Sequence, residues 1–71
     1  MKINCAIIGL GRSGYKIHYK SIKKIKNFNL IGLCDSERKK LKVFDKIKNC
    51  LLTSNYQNII KLKKINLVII S

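Results

Sequence analysis

The six residues Gly9-Leu10-Gly11-Arg12-Ser13-Gly14 leave this chain few folds to choose from. An apolar run, Ile3 to Ile8, leads into them, and a helix-like run, Tyr15 to Lys26, leads out. Between a strand and a helix, glycines at this spacing have separate roles. Gly9 lets the chain turn sharply as it leaves the strand. Gly11 removes a side chain where a ligand must reach the backbone, and Gly14 lets the helix pack close to the strand. The amides of Arg12 and Ser13 then fall in the first helical turn without partners in the helix. Free N–H groups and the helix dipole favour an anion there. Taken alone, the same glycines fit a loop that binds nothing.

A second feature weighs against the bare loop. Asp35 follows another apolar run, Phe28 to Cys34, and lies 21 residues after Gly14. A dinucleotide-binding fold uses an acidic residue about 20 residues on to accept hydrogen bonds from a ribose diol. Helix capping by Asp35 or Ser36 is the competing role, and one carboxylate can do both. Glycine turn, flanking elements and acid together point to a pyrophosphate at the turn and an adenosine ribose at Asp35.

The rest of the chain repeats the same alternation. Lys2–Ile8 reads as a strand buried on both faces, and Arg12 to Lys26 as a helix. Gly14, His18, Ile22 and Ile25 share one face of that helix. Phe28–Cys34 is the second strand. A second helix spans about Glu37 to Lys48, with Leu41, Phe44 and Ile47 inward. Cys50 to Thr53 is a short third strand. Ser54 and Gln57 fit a capping box for a third helix ending near Lys64, and Asn66 to Ser71 is a fourth strand. The alternation predicts an α/β fold, a partial Rossmann fold with a parallel sheet of four strands in the order 3-2-1-4 and three crossover helices. His18, Tyr15 and Tyr19 are expected to pack, and Arg38 to be solvated.

Composition narrows the function. The 71 residues allow one small domain, and the net charge of +13 raises nucleic acid as a partner. Yet 14 of the 16 basic residues are Lys, spread over all three helices. Arg, suited to bidentate phosphate and base contacts, occurs only at Arg12 and Arg38. Lys, Ile and Asn share A/T-rich codons, and no nucleic-acid motif accompanies the charge. No nucleic-acid partner is therefore expected. Cys5, Cys34 and Cys50 are odd in number and lack metal spacing, which fits free thiols in a reducing, cytoplasmic setting. No metal site is expected. No apolar run approaches the roughly 18 residues a bilayer requires, so no membrane partner is expected either.

With the motifs placed, a family resemblance follows. It rests on Ile7-Ile8-Gly9-Leu10-Gly11-Arg12-Ser13-Gly14, His18, Leu33-Cys34-Asp35, Asn55-Tyr56 and Leu67-Val68-Ile69-Ile70-Ser71. Together these resemble the start of the glucose-fructose oxidoreductase / inositol dehydrogenase / MocA family. Dihydrodipicolinate reductases and homoserine dehydrogenases share parts of the pattern. The resemblance implies an NAD(P)-dependent oxidoreductase, with Ser71 as the small hydroxyl residue that ends the fourth strand beside the cofactor. The implied cofactor-binding set is Gly9, Gly11, Arg12, Ser13, Gly14, Asp35 and Ser71. Asp35 tilts the choice between NAD and NADP slightly toward NAD, because its charge opposes a 2′-phosphate, while Arg38 and nearby lysines pull the other way.

In that family the catalytic lysine of a Glu-Lys-Pro motif and a sheet-based substrate domain come later in the chain. Residues 1–71 are thus expected to be the amino-terminal part of the dinucleotide-binding domain. The substrate domain is absent, no catalytic residue is assigned, and the fragment is expected to be inactive alone. A sugar or polyol substrate, and any homo-oligomer, would belong to the full-length protein. A non-catalytic nucleotide sensor and a small basic nucleic-acid-binding protein are the rival readings.

Overall fold

The computed structural model describes residues 2–11 and 13–71, with the backbone alone for residues 13–15. Strands β1 (Ile3–Ile8), β2 (Phe28–Cys34), β3 (Leu51–Thr53) and β4 (Leu67–Ile70) form one sheet in the order β3-β2-β1-β4. Every pairing is parallel, so each strand returns through a helical crossover. The first crossover is a π-wound stretch, Ser13–Tyr19, that runs into α1 (Lys20–Lys24). The second is α2 (Arg38–Leu41) followed by a 3-10 turn, Lys42–Phe44, and the third is α3 (Tyr56–Ile60). The expected fold class, strand order and three crossovers are those observed.

β1 is the hub. It lies between β2 and β4, and its central residues Cys5, Ala6 and Ile7 are fully buried. Successive side chains of a strand point to opposite faces. Cys5 and Ile7 accordingly join Leu10, Ile22, Leu33, Leu41 and Phe44 in one apolar cluster. Ala6 packs with Cys34 and Ile59 in the other. Tyr19 closes the first cluster, its ring edge-on to Phe44 at 4.8 Å between centroids. Beyond Cys5 the register of β1 on β2 slips by one, from Cys5 opposite Leu30 to Ala6 opposite Gly32. Ile31 is the extra residue of this bulge.

The helices are shorter than the periodicity predicts, and each shortening has a local cause. α1 stops at Lys24 because Ile25 turns to an extended backbone conformation; Ile25 is therefore 44% exposed rather than on the core face. In the second crossover Leu41, Phe44 and Ile47 recur every three residues. That spacing suits a 3-10 winding better than an α-helix, and Asp45 N and Ile47 N donate to Lys42 O and Phe44 O in that pattern. The third helix starts one residue later than expected. Asn55, not Ser54, is the cap, its Oδ1 accepting from Gln57 N at 3.0 Å. Thr53 Oγ1 sets Asn55 in place, accepting from its amide at 3.1 Å and from Asn58 Nδ2 at 2.9 Å.

At the amino ends of the strands, asparagines hold β4 on β1. Asn4 N donates to Asn66 Oδ1 and Asn4 Nδ2 to Lys64 O, each at 2.9 Å. Asn29 Nδ2 donates to Asn4 Oδ1 at 3.1 Å and so brings β2 into the same ladder. Among the described residues no helix is long and apolar enough to cross a membrane.

Candidate functional site

At the carboxyl ends of the strands, Gly9 leaves β1 with φ +97°, a conformation that side chains strongly disfavour. Its amide donates to Cys34 O of β2 at 2.8 Å. Its carbonyl accepts from Ser71 Oγ at 3.0 Å, and Ser71 N donates to Ile8 O at 3.0 Å. The turn is thus gripped by the strands on both sides of β1. A Cβ on Gly9 would lie 2.7 Å from Ser71 O, whereas one on Gly11 would meet nothing within 4 Å among the described residues. Leu10, between them, is 5% exposed with its side chain in the core.

Asp35 lies just past β2 and is 8% exposed. Its Oδ2 accepts from Leu10 N at 2.7 Å and its Oδ1 from Glu37 N at 2.8 Å. Burial pushes its pKa up. The amides of Glu37 and Leu10 and the charge of Lys40 outweigh that, and the net shift is downward. The side chain therefore caps the loop that enters α2, as one expectation had it, and also reaches 25 residues back to the glycine turn. Glu37 is the residue before α2, and its own side chain makes no cap. Lys39 and Lys40 both reach Glu37, at 3.7 and 3.5 Å.

A lowered Asp35 pKa fixes the direction of one pH effect. The carboxyl of an unfolded chain titrates near 3.9, so ionised Asp35 stabilises the fold above that value. The stabilisation is lost as pH falls through the lower folded value. Urea midpoints are therefore expected to fall below about pH 4, and Asp35→Asn is expected to flatten that limb of the curve. An unchanged limb in the variant would assign the acid sensitivity elsewhere.

A cleft of about 230 Å³ opens beside these groups, lined by Ile8, Gly9, Cys34, Asp35, Ser36, Ser54 and Tyr56. It lies at the carboxyl ends of β1, β2 and β3, where ligands bind in open α/β sheets. Burial, and then the charge of Asp35, push the Cys34 thiol pKa up, which disfavours its thiolate. A larger groove of about 550 Å³ lies away from the glycine turn. It is lined by Ile22, Phe28, Leu30 and Ile47 with Lys23, Asn29, Lys46 and Lys48, and among the described residues no carboxylate or thiol lines it.

Of the seven sequence-derived site residues, Gly9 and Ser71 are hydrogen-bonded to each other, and Asp35 bonds Leu10, the residue between Gly9 and Gly11. Ser13 and Gly14 begin the helical crossover. Arg12 lies outside the described residues. Sequence reasoning missed the Leu10 amide, Ser36, Ser54 and Tyr56. The last three could have been found by taking the residues just past the carboxyl ends of β2 and β3. His18 is half-buried and Arg38 exposed. No group of three or more His, Cys, Asp or Glu able to hold a metal ion occurs among the described residues.

Comparison with known proteins gives the arrangement a context. The profile of an oxidoreductase family with an NAD-binding Rossmann fold (GFO_IDH_MocA) matches residues 3–71. Among solved structures, myo-inositol 2-dehydrogenase from Lactobacillus plantarum is 27% identical with a TM-score of 0.81, over 99% of this chain and 21% of that one. Scyllo-inositol dehydrogenase from Lactobacillus casei, solved with NAD(H) and scyllo-inositol, is 26% identical with a TM-score of 0.82, over the same shares. The WlbA dehydrogenase from Chromobacterium violaceum, solved with NADH and UDP-GlcNAcA, shares the fold. It is 22% identical with a TM-score of 0.83, over 99% of this chain and 20% of that one. The chain spans about a fifth of the length of these structures. No curated protein matches its sequence.

Proposed function

The chain belongs to the GFO_IDH_MocA oxidoreductase family, with its NAD-binding Rossmann fold, and from that premise we propose that it binds a nicotinamide dinucleotide at the carboxyl ends of β1 and β2. The open space at Gly11 carries this reading: a backbone exposed at that point of the turn is what a pyrophosphate needs. The amides of Arg12 and Ser13 would face the phosphates. Gly9, Gly14 and Ser71 would hold the turn and helix in place around them. Asp35 fits the ribose. An ionised carboxylate has about four acceptor sites, two of which take the amides of Leu10 and Glu37. The others remain for the hydroxyls of a ribose lying in the cleft that Asp35 lines.

The negative charge of Asp35 supports NAD over NADP. When bound, the nicotinamide ring supplies hydride chemistry. This chain's residues hold and orient the cofactor, and none is assigned a catalytic role. The 71 residues would be the amino-terminal part of the domain in a longer, cytoplasmic enzyme. Its substrate, a sugar or polyol derivative, would be held by a separate domain, and the full-length enzyme could form a homo-oligomer.

Gly11→Ala tests the reading. The new methyl meets nothing among the described residues, so stability should stay within about 0.5 kcal/mol of the parent. NAD+ affinity, measured by calorimetry, should fall at least about tenfold. A variant that binds NAD+ like the parent would sink the proposal, as would a folded parent that binds neither NAD+ nor NADP+ at about 1 mM.

A further inference from the structure

We propose that Asp35 is a positioning residue for the glycine turn in addition to its role at the ribose. Its carboxylate fixes the Leu10 amide and so holds residues 9–11 in the shape that receives a pyrophosphate. The inference rests on the nucleotide-binding reading above and deepens it.

The bond to Glu37 N is local and is explained by the turn after β2. The bond to Leu10 N is not: it is buried, 2.7 Å long and joins residues 25 apart. Leu10 has a glycine on either side, and glycines leave a chain more rotational freedom than any other residue. A turn built this way needs fixing from outside if it is to keep one shape. The side chain of Leu10 is anchored in the core, and Cys34 O and Ser71 Oγ hold Gly9. The Leu10 amide is a further handle, and Asp35 takes it. Fixing the turn before a ligand arrives lowers the ordering cost of binding. One carboxylate thereby joins the ribose end of the site to the phosphate end.

Two nucleotides separate this role from ribose recognition: ADP, and 2′,3′-dideoxy-ADP, which has no hydroxyls for Asp35 to accept. In the parent chain ADP is expected to bind more tightly. In Asp35→Ala, affinity for both should fall, by about tenfold for the dideoxy form. Amide hydrogen exchange at Leu10 should accelerate while Ile7 and Leu33, fully buried in the strands, keep the parent rate. Asp35→Asn retains one acceptor oxygen and should lie between. If the alanine variant loses strand protection, the asparagine variant decides by the same readings. Unchanged affinity for the dideoxy nucleotide, or unchanged exchange at Leu10, would confine Asp35 to the ribose and overturn the proposal. If the parent binds neither nucleotide, the nucleotide-binding reading fails, and exchange at Leu10 still decides whether Asp35 holds the turn.

Discussion

Gly9→Ala is expected to destabilise the fold by about 3–5 kcal/mol, from two sources that act together. Holding a non-glycine residue in a sparsely populated backbone region costs on the order of 1–3 kcal/mol, and φ +97° is such a region. The added Cβ would also sit 2.7 Å from the backbone oxygen of Ser71. Backbone cannot swing away as a side-chain tip can, so β4 must shift. Its bonds from Ser71 to Ile8 O and Gly9 O then weaken, each worth about 0.5–1.5 kcal/mol net. Small domains hold as little as about 5 kcal/mol in total, so about 0–2 kcal/mol would remain and as much as about half of the variant should be unfolded at room temperature. Urea titration followed by circular dichroism measures it. A loss below about 1 kcal/mol would mean that the turn relaxes freely and that Ser71 does not fix it. Gly11→Ala, two residues on, serves as the control with little expected loss.

The second large effect concerns the outer edge of the sheet. β4 pairs with β1 on one side, and its other edge pairs with no strand among the described residues. Its sequence, Leu67 to Ile70, is apolar throughout, with Leu67 38% and Ile70 78% exposed. A bare apolar edge of unpaired N–H and C=O groups is a template for another strand. The 71-residue chain, purified as such, is expected to self-associate at micromolar to millimolar concentration. Ile70→Lys should shift it toward monomer by placing a charge on that edge. Size-exclusion chromatography with light scattering checks both. A parent chain that stays monomeric across that range would show the edge to be protected.

What could be read from the residues divides along a physical line. The four strands were legible because parallel strands buried on two faces are written as continuous apolar runs; β2 begins and ends where the sequence places it. The strand order followed from the glycine turn and the acid. The helix lengths did not, because tertiary packing overrides local period. The three-residue spacing of Leu41, Phe44 and Ile47 leans toward a 3-10 winding, but it also leaves one face of an α-helix apolar, and the packed chain winds Lys42–Phe44 as 3-10. Ser54 and Asn55 are both good caps, and the choice between them was made by Thr53 Oγ1, a contact with no local pattern. At the site, Gly9 and Asp35 were legible as types at a spacing. The bond that joins Asp35 to Leu10 was not, since a backbone amide carries no residue signature.

Ser71 and Gly9 lie 62 residues apart, and so do Asn4 and Asn66 at the other end of the same strand pair. The earliest motif in the chain is therefore completed by a residue made 62 positions later. Such long-range pairings must meet their loop-closure entropy before they return any stability, which slows folding. As the chain leaves the ribosome, β1, β2 and the helices between them can collapse, but the carbonyl of Gly9 stays without its strand-end partner until residue 71 has emerged. Synthesis, at about 5–20 residues per second, thus leaves a window of seconds in which the glycine turn exists as sequence and not yet as a shape.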